Sequence, residues 1–142
     1  MPCVGAFAAL LFKTINAALT PRRSVKVCHV NVRSVASKAR LLDLELLCVN
    51  HNLDILCLSE TWLSQSHPSA TLSIHGFQLP FRRDSPDDPH GGVAVYVRNS
   101  LSSTLLPLPH TITIECLCIQ ILITSSTKLN ILTCVTSSIL SN

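Results

Sequence analysis

The sequence predicts an α/β fold built on mixed sheets. Three observations carry that assignment. Residues 25–59 read as strand, helix and strand, the pattern of a βαβ unit with a right-handed crossover. Residues 76–135 then read as short strands divided by turns, which pair antiparallel as a rule. The composition over 142 residues, 47% hydrophobic against 13% charged, is that of a chain with a buried core.

Each element follows from local residue chemistry. Val25–Asn31 (VKVCHVN) is β-branched and follows the breaker Pro21-Arg22-Arg23, so it reads as a strand. Ser37 is placed to cap a helix over Lys38–Asn50, with Leu41, Leu44, Leu47 and Cys48 on one face. Asn50-His51-Asn52 ends it, and Asp54–Ser59 (DILCLS) is a short apolar run that reads as a buried strand. Ser64–Ser73 is polar and turn-prone, with one helical turn expected at Ser69–Leu72. Gly76–Phe81 is expected as a strand, and Arg82–His90, with two prolines and three acids, as an exposed loop. Gly92–Arg98, Thr111–Ile121 and Leu129–Val135 alternate well enough to be strands.

The same composition excludes several classes. A mean hydropathy of +0.41 rules out disorder, and 4 Gly and 8 Pro rule out collagen-like or low-complexity chains. Eleven basic and eight acidic residues give a net charge of +3, compatible with a phosphate-bearing partner. The seven cysteines show no C-x-x-C, and most lie in apolar runs where Cys behaves as a small hydrophobe. This usage predicts a reducing, intracellular setting without a disulfide framework or zinc site. Val4–Phe12 is an apolar run without a basic region before it, and its nine residues fall short of the roughly 20 that span a bilayer. Residues 1–24 are therefore expected to be an ill-packed leader or weak apolar helix, with a small secreted or membrane-associated protein as the alternative. No internal repeat is visible, and nothing specifies an oligomeric state.

The chemistry is expected at the ends of the first two strands. Asn31 closes the first strand and Glu60 follows the second. Ligands of open α/β sheets bind beyond the carboxyl ends of parallel strands, which lie about 4.8 Å apart. An amide and a carboxylate at that edge can hold one hard cation, since Mg²⁺ takes oxygen ligands and keeps several waters. Capping of strand ends or of a turn is the other reading of both residues. His29 reads as a core or strand-edge histidine, and no Ser or Cys stands in a triad pattern. Trp62 reads as packing under the sheet edge rather than as a platform for a base, and Tyr96 as structural.

Four segments occur in order: Asn31-Val-Arg-Ser34, Asp54-Ile-Leu-Cys-Leu-Ser-Glu-Thr-Trp-Leu63, Phe81-Arg-Arg-Asp84 and Gly91-Gly-Val-Ala-Val-Tyr-Val97. In this order and spacing they resemble the N-terminal endonuclease domain of LINE-type non-LTR retrotransposons. That domain belongs to the endonuclease/exonuclease/phosphatase superfamily, with apurinic endonucleases and DNase I. The resemblance spans Val25 to Val135 and implies a four-layered α/β sandwich, present here as its N-terminal half. It also implies Mg²⁺- or Mn²⁺-dependent hydrolysis of DNA with no small-molecule cofactor. Asn31 matches the family's first-strand active-site asparagine, and Glu60 its metal-binding glutamate. Arg33, Arg82 and Arg83 become candidate contacts to DNA phosphates.

The resemblance stops after Leu129-Asn-Ile-Leu-Thr-Cys-Val135. Family members continue with a tyrosine-led Y-R-P-P turn, whereas this sequence reads Thr136-Ser-Ser-Ile and stops at Asn142. The family's later Asp-x-Asn turn and final Asp-His pair do not occur in it. The expectation is a truncated, catalytically incomplete copy in which residues 136–142 are a divergent tail, with a non-enzymatic remnant acting at most as a binding module as the alternative.

Overall fold

The β-branched run at Ser24–Asn31 extends as a strand, and it is the second in the chain. The computed structural model describes residues 9–16 and 24–135. In chain order the elements are β1 (Ala9–Asn16), β2 (Ser24–Asn31), α1 (Lys38–Asn50), β3 (Ile55–Ser59), β4 (Phe81–Arg83), β5 (Val93–Val97), β6 (Ser102–Leu106), β7 (Cys116–Leu122) and β8 (Lys128–Cys134). A 3₁₀ turn at Ser69–Leu72 lies where the sequence placed one. Among the described residues two sheets result: a five-stranded one ordered β1-β2-β3-β5-β4 and a three-stranded one ordered β6-β7-β8. The βαβ unit is present, with β2 and β3 parallel, and the other neighbours in both sheets are antiparallel.

The two faces of the larger sheet build two cores. Leu41, Leu44, Leu47 and Cys48 of α1 pack with Cys28, Val30, Leu56, Leu58, Ala94 and Tyr96. The alternate residues Val25, Ile55, Cys57, Val93, Val95 and Val97 pack against Leu117, Ile119 and Ile121 of β7. Every residue of β3 and β5 is therefore buried, as central strands covered on both sides must be. Helix, sheet and sheet stack as three layers, matching part of the expected α/β sandwich. Ser37 caps α1 by accepting from the Arg40 amide at 3.1 Å. Tyr96 is structural, its buried hydroxyl donating to the Leu72 carbonyl at 2.7 Å.

Asp54 sets the register at the start of β3. Its Oδ2 accepts from the Lys26 amide at 2.9 Å, and Arg98 Nε lies 3.4 Å from its Oδ1. The parallel pair β2–β3 is thereby aligned at the edge remote from Asn31 and Glu60.

Four expectations change. Part of the leader, Ala9–Asn16, is a strand pairing antiparallel with β2 from Ala9↔Asn31 to Asn16↔Ser24. A short apolar run fits helix and strand alike, and the open edge of β2 decides it. Residues 1–8, 17–23 and the tail 136–142 lie outside the described residues. The strand expected at Gly76–Phe81 is instead Phe81–Arg83, preceded by an isolated bridge from Phe77 to Arg98. Pro80 has no N–H to give a ladder, so pairing starts after it. The strand expected from Thr111 begins at Cys116, and Ser102–Leu106 is a strand that its polar residues did not announce. Among the described residues no helix is long and apolar enough to cross a membrane.

Candidate functional site

Asn31 stands opposite Ser59 in the parallel ladder, so Glu60 begins the loop one step beyond. The two loops stay joined past the strands. Val32, Ser34 and Val35 donate to the carbonyls of Ser59, Glu60 and Thr61 at 3.0, 2.9 and 3.1 Å. Along the same edge, Val93 pairs with Ser59 on one side and Arg83 on the other. The order Asn31, Ser59–Glu60, Gly92–Val93, Arg83 thus runs across four neighbouring strand ends.

Backbone strain gathers here. Of the five non-glycine residues with positive φ among the described residues, four are Arg33 (46°), Ser34 (83°), Glu60 (53°) and Trp62 (56°). Such conformations cost about 1–3 kcal/mol each and persist where the surroundings enforce them, often at functional sites. At Glu60 the left-handed backbone interrupts the strand alternation, so the pleat of β3 no longer dictates which face its side chain takes.

The Gly91–Gly92 turn does the enforcing. Thr61 and Trp62 donate their amides to the carbonyls of Gly92 and Gly91 at 3.3 and 3.0 Å. Gly92 has φ +97°, and a Cβ there would lie 2.5 Å from Thr61 Oγ1. Its own amide donates to Glu115 Oε2 at 2.6 Å. Neither Thr61 nor Glu115 stood out in the sequence, although Glu115 is the sole acid after Asp88.

Unsatisfied polar atoms mark the same edge. Among the described residues, the buried side-chain oxygens and nitrogens without a partner are Asn31 Oδ1, Thr61 Oγ1 and Trp62 Nε1. Each such atom costs about 1–3 kcal/mol, so three at one edge call for a reason. Glu60 is half-buried, and its carboxylate makes no hydrogen bond or ion pair with the described residues. An orphaned amide oxygen and an unengaged carboxylate, carried at neighbouring strand ends, are oxygen donors of the kind a hard, partly hydrated cation takes. No group of three or more His, Cys, Asp or Glu side chains placed to hold a metal ion occurs among the described residues. A cation here would keep most of its water.

The candidate arginines separate. Arg33 is exposed beside the edge, and Arg83 is exposed with Nη1 3.5 Å from the Cys116 carbonyl. Arg82 is engaged within the fold. Its guanidinium makes a bidentate contact with Asp84, at 3.0 and 2.6 Å, and donates to the carbonyls of Ser64 and His67. The loop Ser64–Ser69 closes over it, a long-range approach that the local sequence does not signal, so Arg82 has no donors to offer a phosphate. Trp62 lies against His90 with ring centroids 4.5 Å apart. His29 is half-buried within β2, and burial lowers its pKa below the ordinary 6.5.

Residues 28–135 match the Endonuclease/Exonuclease/phosphatase family, well over half of the chain. The chain belongs to that family. The match runs from the second half of β2 through β8, so it includes strands of both sheets, Asn31, Glu60 and the Gly91–Gly92 turn, and it accords with the α/β sandwich. A search of curated proteins gives no match. Asn31, Glu60 and Thr61 all lie within the matched residues.

Proposed function

We propose that this domain descends from a LINE-type retrotransposon endonuclease, and that Glu60 and Asn31 hold Mg²⁺ or Mn²⁺ against a DNA phosphodiester. The observation that carries the site is where the partnerless buried polar atoms of the described residues gather: the edge at which Glu60 is unengaged. The four matching segments in register support the retrotransposon origin. Glu60 would supply the charged ligand and Asn31 Oδ1 a neutral one. A divalent cation bound there would neutralise charge developing on the phosphate oxygens. Arg33 and Arg83, both exposed near this edge, would draw in the DNA backbone by charge.

A polypeptide of these 142 residues is proposed to bind the cation without cutting DNA. Hydrolysis also needs an oriented water and a base to take its proton, together worth several orders of magnitude in rate. The residues that resemble those parts in the family, Asp-x-Asn and Asp-His, do not occur in the sequence.

The lone tryptophan, Trp62, sits two positions from Glu60 and reports on binding. Mn²⁺ should quench its fluorescence with a Kd on the order of 1 mM or weaker, as one carboxylate allows. Glu60→Ala should abolish that quenching, and equal quenching in both proteins overturns the site. In a plasmid-nicking assay with Mg²⁺, wild type and Glu60→Ala should be indistinguishable. Nicking by the wild type alone would show that the chain is an active nuclease.

A further inference from the structure

The strands β7 and β8 each place a cysteine at one ladder position, Cys116 opposite Cys134. The Val135 amide donates to the Glu115 carbonyl at 3.0 Å, the bond that flanks a non-hydrogen-bonded antiparallel pair. Cα atoms in such a pair come to about 4.5 Å, inside the range of roughly 4.4–6.8 Å that a disulfide spans. The two Sγ atoms are 2.6 Å apart, and both residues are free thiols.

The surroundings give the two sulfurs different parts. Cys134 is half-buried and within reach of a small reagent, whereas Cys116 is 3% exposed. The first attack falls to Cys134 because its sulfur is the accessible one, and burial together with the adjoining Cys134 thiol raises the Cys116 pKa. Cys118 follows on the same side of β7, but its cross-strand partner is Leu132. The pairing is therefore specific to one couple among three nearby cysteines.

We propose that Cys116 and Cys134 are a reversible thiol–disulfide site, oxidised by a small disulfide of the glutathione class. The Cys134 thiolate attacks one sulfur of the reagent, and the other sulfur leaves as a thiol carrying the proton Cys134 gave up. Cys116 then attacks Cys134 Sγ, breaking the mixed disulfide and releasing the second small thiol with the Cys116 proton. Two S–H bonds are lost in the protein and one S–S bond forms, while two electrons reduce the reagent to two thiols. The bridge closes the open end of the β7–β8 hairpin, next to the residue that holds Gly92. It depends on no assumption about metal or DNA.

The full chain is incubated with oxidised glutathione, alkylated with iodoacetamide, digested and mapped by mass spectrometry. The expected product is one linked peptide pair joining Cys116 to Cys134, about 2 Da lighter than its two thiol forms and restored by a reductant. The Cys116→Ser variant should stop at a glutathione adduct on Cys134. A wild-type chain that likewise stops at the adduct, stays unlinked, or joins Cys118 to Cys134 overturns the proposal. The wild-type digest decides the matter even if the variant does not fold.

Discussion

The backbone amide of Gly92 donates to Oε2 of Glu115 at 2.6 Å, joining the larger sheet to the smaller one across 23 positions of sequence. The carbonyls of Gly91 and Gly92 accept from Trp62 and Thr61, so the turn that Glu115 holds is the turn that supports the Glu60 loop. A lone carboxylate in an otherwise uncharged stretch of chain thus sits behind the candidate site rather than in it. Hydrogen bonds to charged groups contribute about 1.5–3 kcal/mol, more than neutral ones.

Glu115→Ala should therefore lower stability by about 2 kcal/mol, since the Gly92 N–H is left without its acceptor. Glu115→Gln keeps an acceptor oxygen and should lose about half as much. Urea unfolding of the three proteins checks the order. Equal loss in the two variants would assign the effect to packing.

Two glycines with similar backbones should respond differently to alanine. Gly76 has φ +84°, and a Cβ added there would meet nothing within 4 Å, so only the conformational cost of about 1 kcal/mol applies. Gly92 has φ +97° and the 2.5 Å approach to Thr61 Oγ1 besides. Gly92→Ala should lose about 3 kcal/mol or more, as strain and displacement of the Thr61 segment add. Thermal melts of both variants test this, and equal losses would mean that Thr61 yields freely.

The contrast between Glu60 and Glu115 shows what could be read from residue order. The placement of Asn31 at the end of β2 and of Glu60 just past β3 was legible because both strands are local β-branched or apolar runs, and parallel neighbours put their ends together. The helix was legible through Ser37 and its four-residue apolar face. Glu115 was not, because its partner Gly92 lies in another sheet and no local pattern encodes that meeting. The engagement of Arg82 within the fold was hidden for the same reason: its carbonyl partners come from a loop some fifteen positions earlier. Ser102–Leu106 carries little β signal of its own and becomes a strand by pairing with Cys118–Leu122.

Alkaline pH should weaken the fold through buried thiols. Burial pushes Cys48 up to about 12 and Cys57 up to about 11, from an ordinary 9.0. The raised values mean that the folded chain keeps protons which the unfolded chain releases. Their contribution is whole below pH 9.0, and it falls as pH rises through 9.0 toward the folded values. At pH 10 each thiol should remove about 1 kcal/mol. Urea midpoints between pH 8 and pH 10 should fall, and less steeply in Cys48→Ala/Cys57→Val. Identical slopes would assign the alkaline loss to other groups.

Asn31 should behave as a residue kept at the expense of stability. Its Oδ1 is buried without a partner, a state that an apolar side chain of similar shape avoids. Asn31→Leu should therefore raise stability by about 1 kcal/mol while weakening Mn²⁺ quenching of Trp62 several-fold. Gains in stability that lower function mark positions where a site holds strain or unsatisfied groups. Asn31→Asp should do the reverse: a second carboxylate beside Glu60 repels it in the absence of metal and attracts the cation more strongly. Unfolding in EDTA and in millimolar Mn²⁺ separates the two terms for each variant. If Asn31→Leu is instead destabilised in EDTA, the amide is serving the fold, and Glu60 is left as the sole ligand.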